Sequence, residues 1–133
     1  MSKAGRADGA GGLDEIRLEL PASPEFLRLA RVTATGLASR LGFTFDDVED
    51  LRLAIDELCF ALIGHGAEGT VRLQYRVHPQ ALEIEGTLTG PIVEPPKLTE
   101  WSDQILTALV DEHEVSGGEN QATFRLLKRR VMG

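Results

Sequence analysis

The most constraining feature of this sequence is a strict alternation of polar and apolar residues in four short segments. The alternation covers residues 15–20, 71–77, 82–85 and 122–126. A period of two places the apolar side chains on one face of a strand and the polar side chains on the other. Such strands need a helical layer on one face only. The pattern therefore predicts an α+β two-layer sandwich with a mainly antiparallel sheet.

Three further segments carry apolar residues at helical spacing. Each follows a Ser or Thr that can cap a helix N-terminus, and the predicted helices cover residues 24–41, 45–63 and 100–112. The expected element order is β-α-α-β-β-α-β. All three helices are expected on the apolar face of the sheet, because the polar face of each strand needs contact with water.

The chain divides into one domain and two tails. The first twelve residues, MSKAGRADGAGG, offer nothing to bury and are predicted to be a flexible tail. Residues 13–128 form the predicted domain, and residues 129–133 are expected to be a C-terminal tail. With 133 residues and no internal repeat, the chain is long enough for one core without disulfides or a metal.

Charge and composition exclude several classes of function. The formal net charge is −7 and the richest basic run is only Lys128, Arg129 and Arg130, which disfavours direct nucleic-acid binding. No segment approaches the roughly 20 apolar residues that span a bilayer, and the N-terminus has no apolar signal core. A cytoplasmic protein without a membrane partner is expected. The histidines lack zinc-ligand spacing, so no metal site is predicted.

Two single residues are expected in the core. Cys59 lies in an apolar run and is interpreted as a small core residue, since one cysteine cannot form an internal disulfide. Trp101 opens the third predicted helix and is assigned to its inward stripe. The alternative for Trp101 is an exposed anchor that binds a partner.

The run DDVEDLRLAIDELCFALIGHG, residues 46–66, resembles the nucleotide-binding helix of the GHKL superfamily, and specifically of the RsbW-like anti-sigma-factor serine kinases. The resemblance extends upstream through LPASPEFLRLARVTATGLASRLGF and covers most of residues 14–128 in order. It implies the histidine-kinase-like ATPase fold. It also implies a sigma factor and a STAS-type anti-anti-sigma factor as partners, and a homodimer.

The first motif of that family is only half preserved. In the family this helix carries Glu-x-x-x-Asn, with the Glu as general base and the Asn holding the magnesium that bridges the ATP phosphates. Glu57 matches the Glu, whereas Ala61 occupies the Asn position. Magnesium prefers oxygen ligands, which an alanine methyl group does not offer. Glu57 is therefore either a vestigial general base or an ordinary solvated or ion-paired carboxylate.

The second motif, Asp-x-Gly-x-Gly, is also altered. On the segment LEIEGTLTGPIVEP it places Leu88 at the adenine-binding Asp, Gly90 at the first Gly and Ile92 at the second. The segment EPPKLTEW, residues 94–101, has no glycine where the family has a Gly-rich lid. No cofactor is therefore expected, and ATP and magnesium enter only if the kinase alternative below holds.

Two functions compete on these grounds. The first is a noncatalytic anti-sigma factor that sequesters a sigma factor, with Arg28 and Arg31 of the first helix at the partner surface. The second is an active ATP-dependent serine kinase that phosphorylates a STAS-type protein. A regulator with a partner other than a sigma factor is a further alternative. For the arginines, the other interpretation is a solvated helix face with local partners such as Glu25.

Overall fold

Five strands and three helices form the described part of the chain, which covers residues 14–64, 66–92 and 95–131 of a computed structural model. In chain order the elements are β1 (Asp14–Pro21), α1 (Pro24–Arg40), α2 (Phe45–Ile63), β2 (Thr70–His78), β3 (Ala81–Thr89), α3 (Glu100–Leu109), β4 (Glu112–Gly117) and β5 (Gln121–Arg129). The predicted N-terminal tail, residues 1–12, lies outside the described residues.

The strands form one antiparallel sheet in the order β1-β2-β3-β5-β4. Leu18, Leu73, Gly86 and Phe124 lie side by side across its four longer strands. Buried residues of the helices and of alternate strand positions form a single hydrophobic core. The α+β two-layer fold predicted from the alternation is confirmed.

The opposite face of the sheet is polar and cross-linked by ion pairs. Arg125 Nε donates to Glu83 Oε2 at 2.8 Å, and Arg125 Nη1 donates to Glu112 Oε1 at 3.1 Å. Partial burial alone raises the pKa of Glu83, but the hydrogen bonds to Arg125 and His78 outweigh it and lower the pKa of this carboxyl group. These ion pairs join adjacent strands, so charged side chains on the solvent-facing side of the sheet have partners within the protein.

Helices α1 and α2 begin with different signals. Thr44 Oγ1 accepts a hydrogen bond from Asp47 N at 3.1 Å, as the cap prediction requires. Ser23 makes no such side-chain bond, and α1 instead begins with Pro24 at its first turn. Helix α1 contacts the core through small residues, and the Tyr75 hydroxyl reaches across to donate to Ala30 O at 2.9 Å.

Two predictions for the region after residue 100 are wrong. Helix α3 ends at Leu109 rather than near residue 112, and the following residues form β4, a strand that the sequence analysis missed. Trp101 is 72% exposed, so its assignment to the core is wrong. The buried residue of α3 is Leu106, so the side of the helix that faces the core does not include Trp101.

Lys128 is buried on the helix side of β5 and joins three elements. Its Nζ donates to Leu109 O at the end of α3, at 2.7 Å. It also lies 3.5 Å from Asp47 Oδ1 and 3.8 Å from Asp50 Oδ2 in the first turns of α2. Strand β5 continues to Arg129, one residue into the segment predicted to be a tail.

Candidate functional site

A cleft of about 1080 Å³ opens beside the C-terminal half of α2, the end of β3 and the segment that leads into α3. Its lining includes Glu57, Ala61, Leu88 and Ile92. The structure thus brings together four of the five positions that the sequence analysis assigned to the nucleotide motifs. The fifth, Gly90, lies beyond Leu88 at the end of β3 and is not part of the lining.

Glu57 is engaged by α3. The Ser102 hydroxyl donates a hydrogen bond to Glu57 Oε2 at 2.5 Å. Ser102 is itself held by Thr99, whose Oγ1 accepts from Ser102 N at 3.0 Å in the N-terminal cap of α3. One oxygen of the carboxylate is therefore already the acceptor of a hydrogen bond from the capped first turn of α3. The sequence analysis missed Ser102, although the Thr-x-x-Ser spacing of a capped helix was visible.

The metal-binding position of the family is filled by a hydrocarbon. Ala61 faces the cleft with a methyl group, and among the described residues the carboxylates in the lining are Glu57 and the exposed Glu68. No group of three or more His, Cys, Asp or Glu side chains that could hold a metal ion exists among the described residues. The side chains present do not fit a magnesium ion bound as in the family, because the oxygen ligand at residue 61 is lost.

The adenine-binding position is likewise apolar. Leu88 is 2% exposed and lies on β3 between Val71 and Ala122 of the neighbouring strands. A leucine side chain cannot accept a hydrogen bond from an amino group, and an unpaired buried amino group costs roughly 1–3 kcal/mol. The residues present therefore do not fit the adenine contact of the family.

Gly90 is required by packing within the protein. Its φ is +148°, and a Cβ at this position would lie 2.7 Å from Glu68 O. Gly69 makes the reciprocal approach, because a Cβ there would collide with the Thr89 carbonyl group. The two glycines let the loop before β2 pass close to the end of β3. No nucleotide is needed to explain Gly90.

The described residues between β3 and α3 contact the β4–β5 hairpin. Gly90 N donates to Asn120 O and Ile92 N donates to Glu119 O, each at 3.1 Å. Farther along, a Cβ on Gly117 would lie 2.7 Å from Pro96 Cδ, so the proline segment packs closely on β4. These contacts hold one wall of the cleft in place where the family has a Gly-rich lid.

Arg28 and Arg31 do not line the cleft but lie beside an adjoining smaller hollow of about 180 Å³ between α1 and α2. Arg28 is exposed. Arg31 is half-buried, and its Nε lies 3.4 Å from Asp56 Oδ1 on α2. The suggested local partner Glu25 is therefore wrong for Arg31, whose partner is Asp56 across the helix pair.

Cys59 is a core residue, as predicted. It is 3% exposed, and burial, followed by the charge of Asp56, raises the pKa of its thiol to about 12. A thiol with this pKa is almost entirely protonated at neutral pH and is a poor nucleophile.

The helical layer exposes apolar side chains that the sequence analysis did not single out. Phe26, Leu29 and Val32 of α1 are 38%, 46% and 59% exposed. Phe45, Leu53 and Phe60 of α2 are also exposed, as is Trp101 on α3. The three α1 residues recur every third position beside Arg28, so α1 presents a mixed apolar and basic surface.

Helices of the described residues are too short or too polar to cross a membrane.

Comparisons with known proteins agree on the fold and on one group of relatives. The sequence profile of the histidine kinase-like ATPase domain matches residues 20–126. Serine-protein kinase RsbW of Bacillus velezensis is 37% identical over 76 residues, which are 54% of this chain and 48% of that protein. The RsbW of Bacillus subtilis strain 168 is 36% identical over 75 residues, or 53% of this chain and 47% of the relative. The chain thus spans about half the length of the curated relatives it matches.

A solved structure matches most of the chain. The crystal structure of the RsbU and RsbW domains of Rv1364c from Mycobacterium tuberculosis superposes with a TM-score of 0.68 over 90% of this chain and 33% of that one. The sequence identity of this pair is 17%, so the match establishes the fold alone.

Proposed function

The chain belongs to the histidine kinase-like ATPase domain family and resembles its RsbW members, and we propose that it is an anti-sigma factor that sequesters a sigma factor with little or no use of ATP. The observation that carries the proposal is the combination of a retained fold with an altered cleft. Ala61, Leu88 and Ile92 replace the groups that would contact metal and nucleotide, while the surrounding core is intact. Binding of a protein partner needs the surface of such a fold but not its phosphate chemistry.

The partner surface that we propose is the exposed side of α1. Arg28 offers a cation there, and the row formed by Phe26, Leu29 and Val32 offers apolar area. This surface fits a sigma-factor segment that carries acidic and apolar residues. The net charge of −7 adds long-range attraction to the basic DNA-binding surfaces of a sigma factor, which raises the association rate more than the affinity.

Release is proposed to occur by competition with a STAS-type anti-anti-sigma factor, without phosphorylation. The kinase alternative rests on the RsbW relatives, which are named serine-protein kinases. It requires Mg-ATP in the cleft. The two functions therefore differ in one measurable property, the dependence of sigma-factor inhibition on ATP.

Transcription with purified RNA polymerase and each sigma factor of the source cell tests the proposal. We expect inhibition of at least one sigma factor in nucleotide-free buffer, with no increase on addition of Mg-ATP. Inhibition that appears only with Mg-ATP would support the kinase alternative. If saturating protein inhibits none of the sigma factors, the anti-sigma function itself is wrong.

Charge reversal at one arginine tests the surface. Arg28→Glu should weaken the sigma-factor complex while the fold remains, because Arg28 is exposed. Arg31→Glu is less informative, since it also breaks the pair with Asp56. The matched control is Arg40→Glu, which makes the same charge change at the other end of α1. Equal weakening by Arg28→Glu and Arg40→Glu would show that α1 is not the specific contact.

We also propose that the chain forms a homodimer without nucleotide, since the sheet retains unpaired edges among the described strands. Light scattering on nucleotide-stripped protein tests this. A monomer at every concentration up to the solubility limit would contradict it.

A further inference from the structure

The charged side chains that line the cleft lie at different depths. Among the described lining residues, the charged ones are Glu57, Glu68 and Lys97. Glu68 and Lys97 are exposed at the rim, whereas Glu57 is half-buried. The buried part of the lining is hydrocarbon and consists of Ala22, Leu62, Ile63 and Leu88. The interior of the described lining therefore presents one carboxylate among apolar side chains.

A chain of hydrogen bonds fixes the orientation of this carboxylate. Thr99 Oγ1 donates to Ser102 Oγ at 3.1 Å, and Ser102 Oγ donates to Glu57 Oε2 at 2.5 Å. Within the described part of the chain Glu57 forms no ion pair, and no hydrogen bond reaches its other oxygen, Oε1. The carboxylate is thus held in place, and Oε1 is left to accept a hydrogen bond from a ligand.

The chemistry of Glu57 selects among the ligands that could fill the cleft. A purely apolar molecule would take the carboxylate out of water without a partner, which is costly. An anionic molecule would add repulsion between like charges. An ammonium group donates hydrogen bonds and carries the opposite charge, and such charge-assisted bonds are about twice as strong as neutral ones. The interior therefore favours an organic cation.

The rest of the lining fits a hydrocarbon chain or ring. Ala61 follows Glu57 by one turn of α2, a rise of about 6 Å along the helix axis. Leu88 and Ile92 add apolar surface from the end of β3 and beyond it. A ligand whose cationic group contacts Glu57 therefore meets apolar side chains within a few carbon–carbon bonds. The cleft volume of about 1080 Å³ is ample for a small molecule of this kind.

We propose that the cleft binds a small organic amine, with its ammonium group on Glu57 and its apolar chain or ring on the side of Ala61 and Leu88. Such a ligand goes beyond the anti-sigma function proposed above, which needs no small molecule. One wall of the cleft is held in advance by the bond from Ile92 N to Glu119 O at 3.1 Å. A cleft that is already formed lowers the cost of ordering on binding.

Titration of the isotope-labelled full chain, followed by NMR amide shifts, tests the ligand class. The probes are n-hexylamine, 1-hexanol and hexanoate, which share an alkyl chain and differ in charge at neutral pH. Hexylamine should shift amides that line the cleft, with a dissociation constant of about 1 mM, as small ligands reach. Hexanol and hexanoate should bind at least about tenfold more weakly, because they lack the charge-assisted bond.

Variants of the chain test the position. Glu57→Gln should weaken hexylamine binding by about tenfold or more, since it removes the charge but keeps an oxygen that accepts from Ser102. The matched control is Glu68→Gln, which makes the same charge change at the exposed rim and should alter the dissociation constant by less than about twofold. Ala61→Phe should abolish binding by filling the cleft, and the amide spectrum of each free variant shows whether the fold is kept.

Chain length separates binding in the cleft from attraction to the acidic surface. The net charge of −7 draws any amine toward the protein. Surface attraction does not depend on the alkyl chain, whereas burial in an apolar cleft does. From n-butylamine to n-hexylamine the affinity should rise by about two- to fourfold for each added methylene.

The outcomes decide the proposal without a partner protein or a nucleotide, so they are independent of the anti-sigma function. Saturable shifts in the cleft that depend on the ammonium group, on Glu57 and on chain length support it. Equal binding of hexanoate or hexanol overturns it, and so does hexylamine binding that survives Glu57→Gln unchanged. Shifts that map outside the cleft, or no shifts at all up to about tenfold above the expected dissociation constant, also overturn it.

Discussion

Replacement of Lys128 by methionine should destabilise the fold markedly, because Lys128 is a buried charged residue that joins three elements. The substitution keeps the apolar stem but removes the ammonium group. The hydrogen bond to Leu109 O is then lost, and the Asp47 carboxylate keeps its position without its cation. Asp47 is 13% exposed as a side chain, so water replaces the lost partner only in part.

The magnitude follows from these contacts. Breaking a buried ion pair by removing one partner costs about 3–5 kcal/mol. Asp50 adds little, because it is 37% exposed and lies 3.8 Å away. The pair with Asp47 is imperfect, since the distance is 3.5 Å and Asp47 Oδ2 has no hydrogen-bond partner. We therefore expect a loss of about 3 kcal/mol for Lys128→Met, at the lower end of the range.

Urea denaturation followed by far-UV circular dichroism measures this loss. Tryptophan fluorescence is a poor probe here, because Trp101 is already 72% exposed in the folded chain. Lys97→Met is the matched control, since Lys97 is exposed, and should change the free energy of unfolding by less than about 0.5 kcal/mol. The double variant Lys128→Met/Asp47→Asn should be more stable than Lys128→Met by about 1–2 kcal/mol, because it leaves no uncompensated carboxylate.

Two results would refute this reasoning. One is a loss below about 1 kcal/mol for Lys128→Met, which would mean that water solvates Asp47 freely. The other is additivity of the Lys128→Met and Asp47→Asn effects, which would mean that the two side chains do not interact.

Three further predictions concern single residues. Because the pKa of Glu83 is lowered from 4.5 in the folded chain, its carboxylate stabilises the fold above about pH 4.5. This contribution is lost as the pH falls through the folded-state pKa. Glu83→Gln should therefore reduce the loss of stability on the acid side of a stability–pH profile. Gly86→Ala should cost about 1–3 kcal/mol in urea denaturation, because its Cβ would collide with the Phe124 ring, whereas Gly36→Ala in the open middle of α1 should gain about 0.5–1 kcal/mol. Cys59, with a pKa raised to about 12, should resist iodoacetamide at pH 8 in the folded chain and react in urea, as mass spectrometry would record; fast labelling of the folded chain would contradict its burial.

The sequence predicted most of the fold because the period-two strands and the capped helices are strong local signals. Strand β4 was not predicted because its residues EHEVSG include only Val115 as an apolar strand residue. It forms through backbone pairing with β5, an interaction that no local pattern encodes. Trp101 was misplaced for a related reason. The short helix α3 carries apolar residues on several sides, and the contact of Leu106 with the core sets its rotation.

The candidate site, like the fold, was predictable from the sequence only in part. The resemblance assigned Glu57 and Ala61 on α2, Leu88 on β3 and Ile92 after β3 to nucleotide motifs, and the structure places all four along one cleft. Their part in function stays a prediction. The bond from Ser102 to Glu57 joins residues 45 positions apart and depends on how α3 packs on α2. The pairing of Arg31 with Asp56 is also tertiary, so the sequence alone offered only a partner surface or a solvated helix face for this arginine.

Calorimetric titration of Mg-ATP into nucleotide-free protein is the most direct test of the central claim, that this fold acts on its partner without nucleotide. The account predicts no measurable binding, or a dissociation constant weaker than about 1 mM, which corresponds to about −4 kcal/mol. The reason is that Ala61 and Leu88 provide neither a magnesium ligand nor an acceptor for the adenine amino group. A dissociation constant of about 1 μM or tighter, equivalent to about −8 kcal/mol, would contradict it.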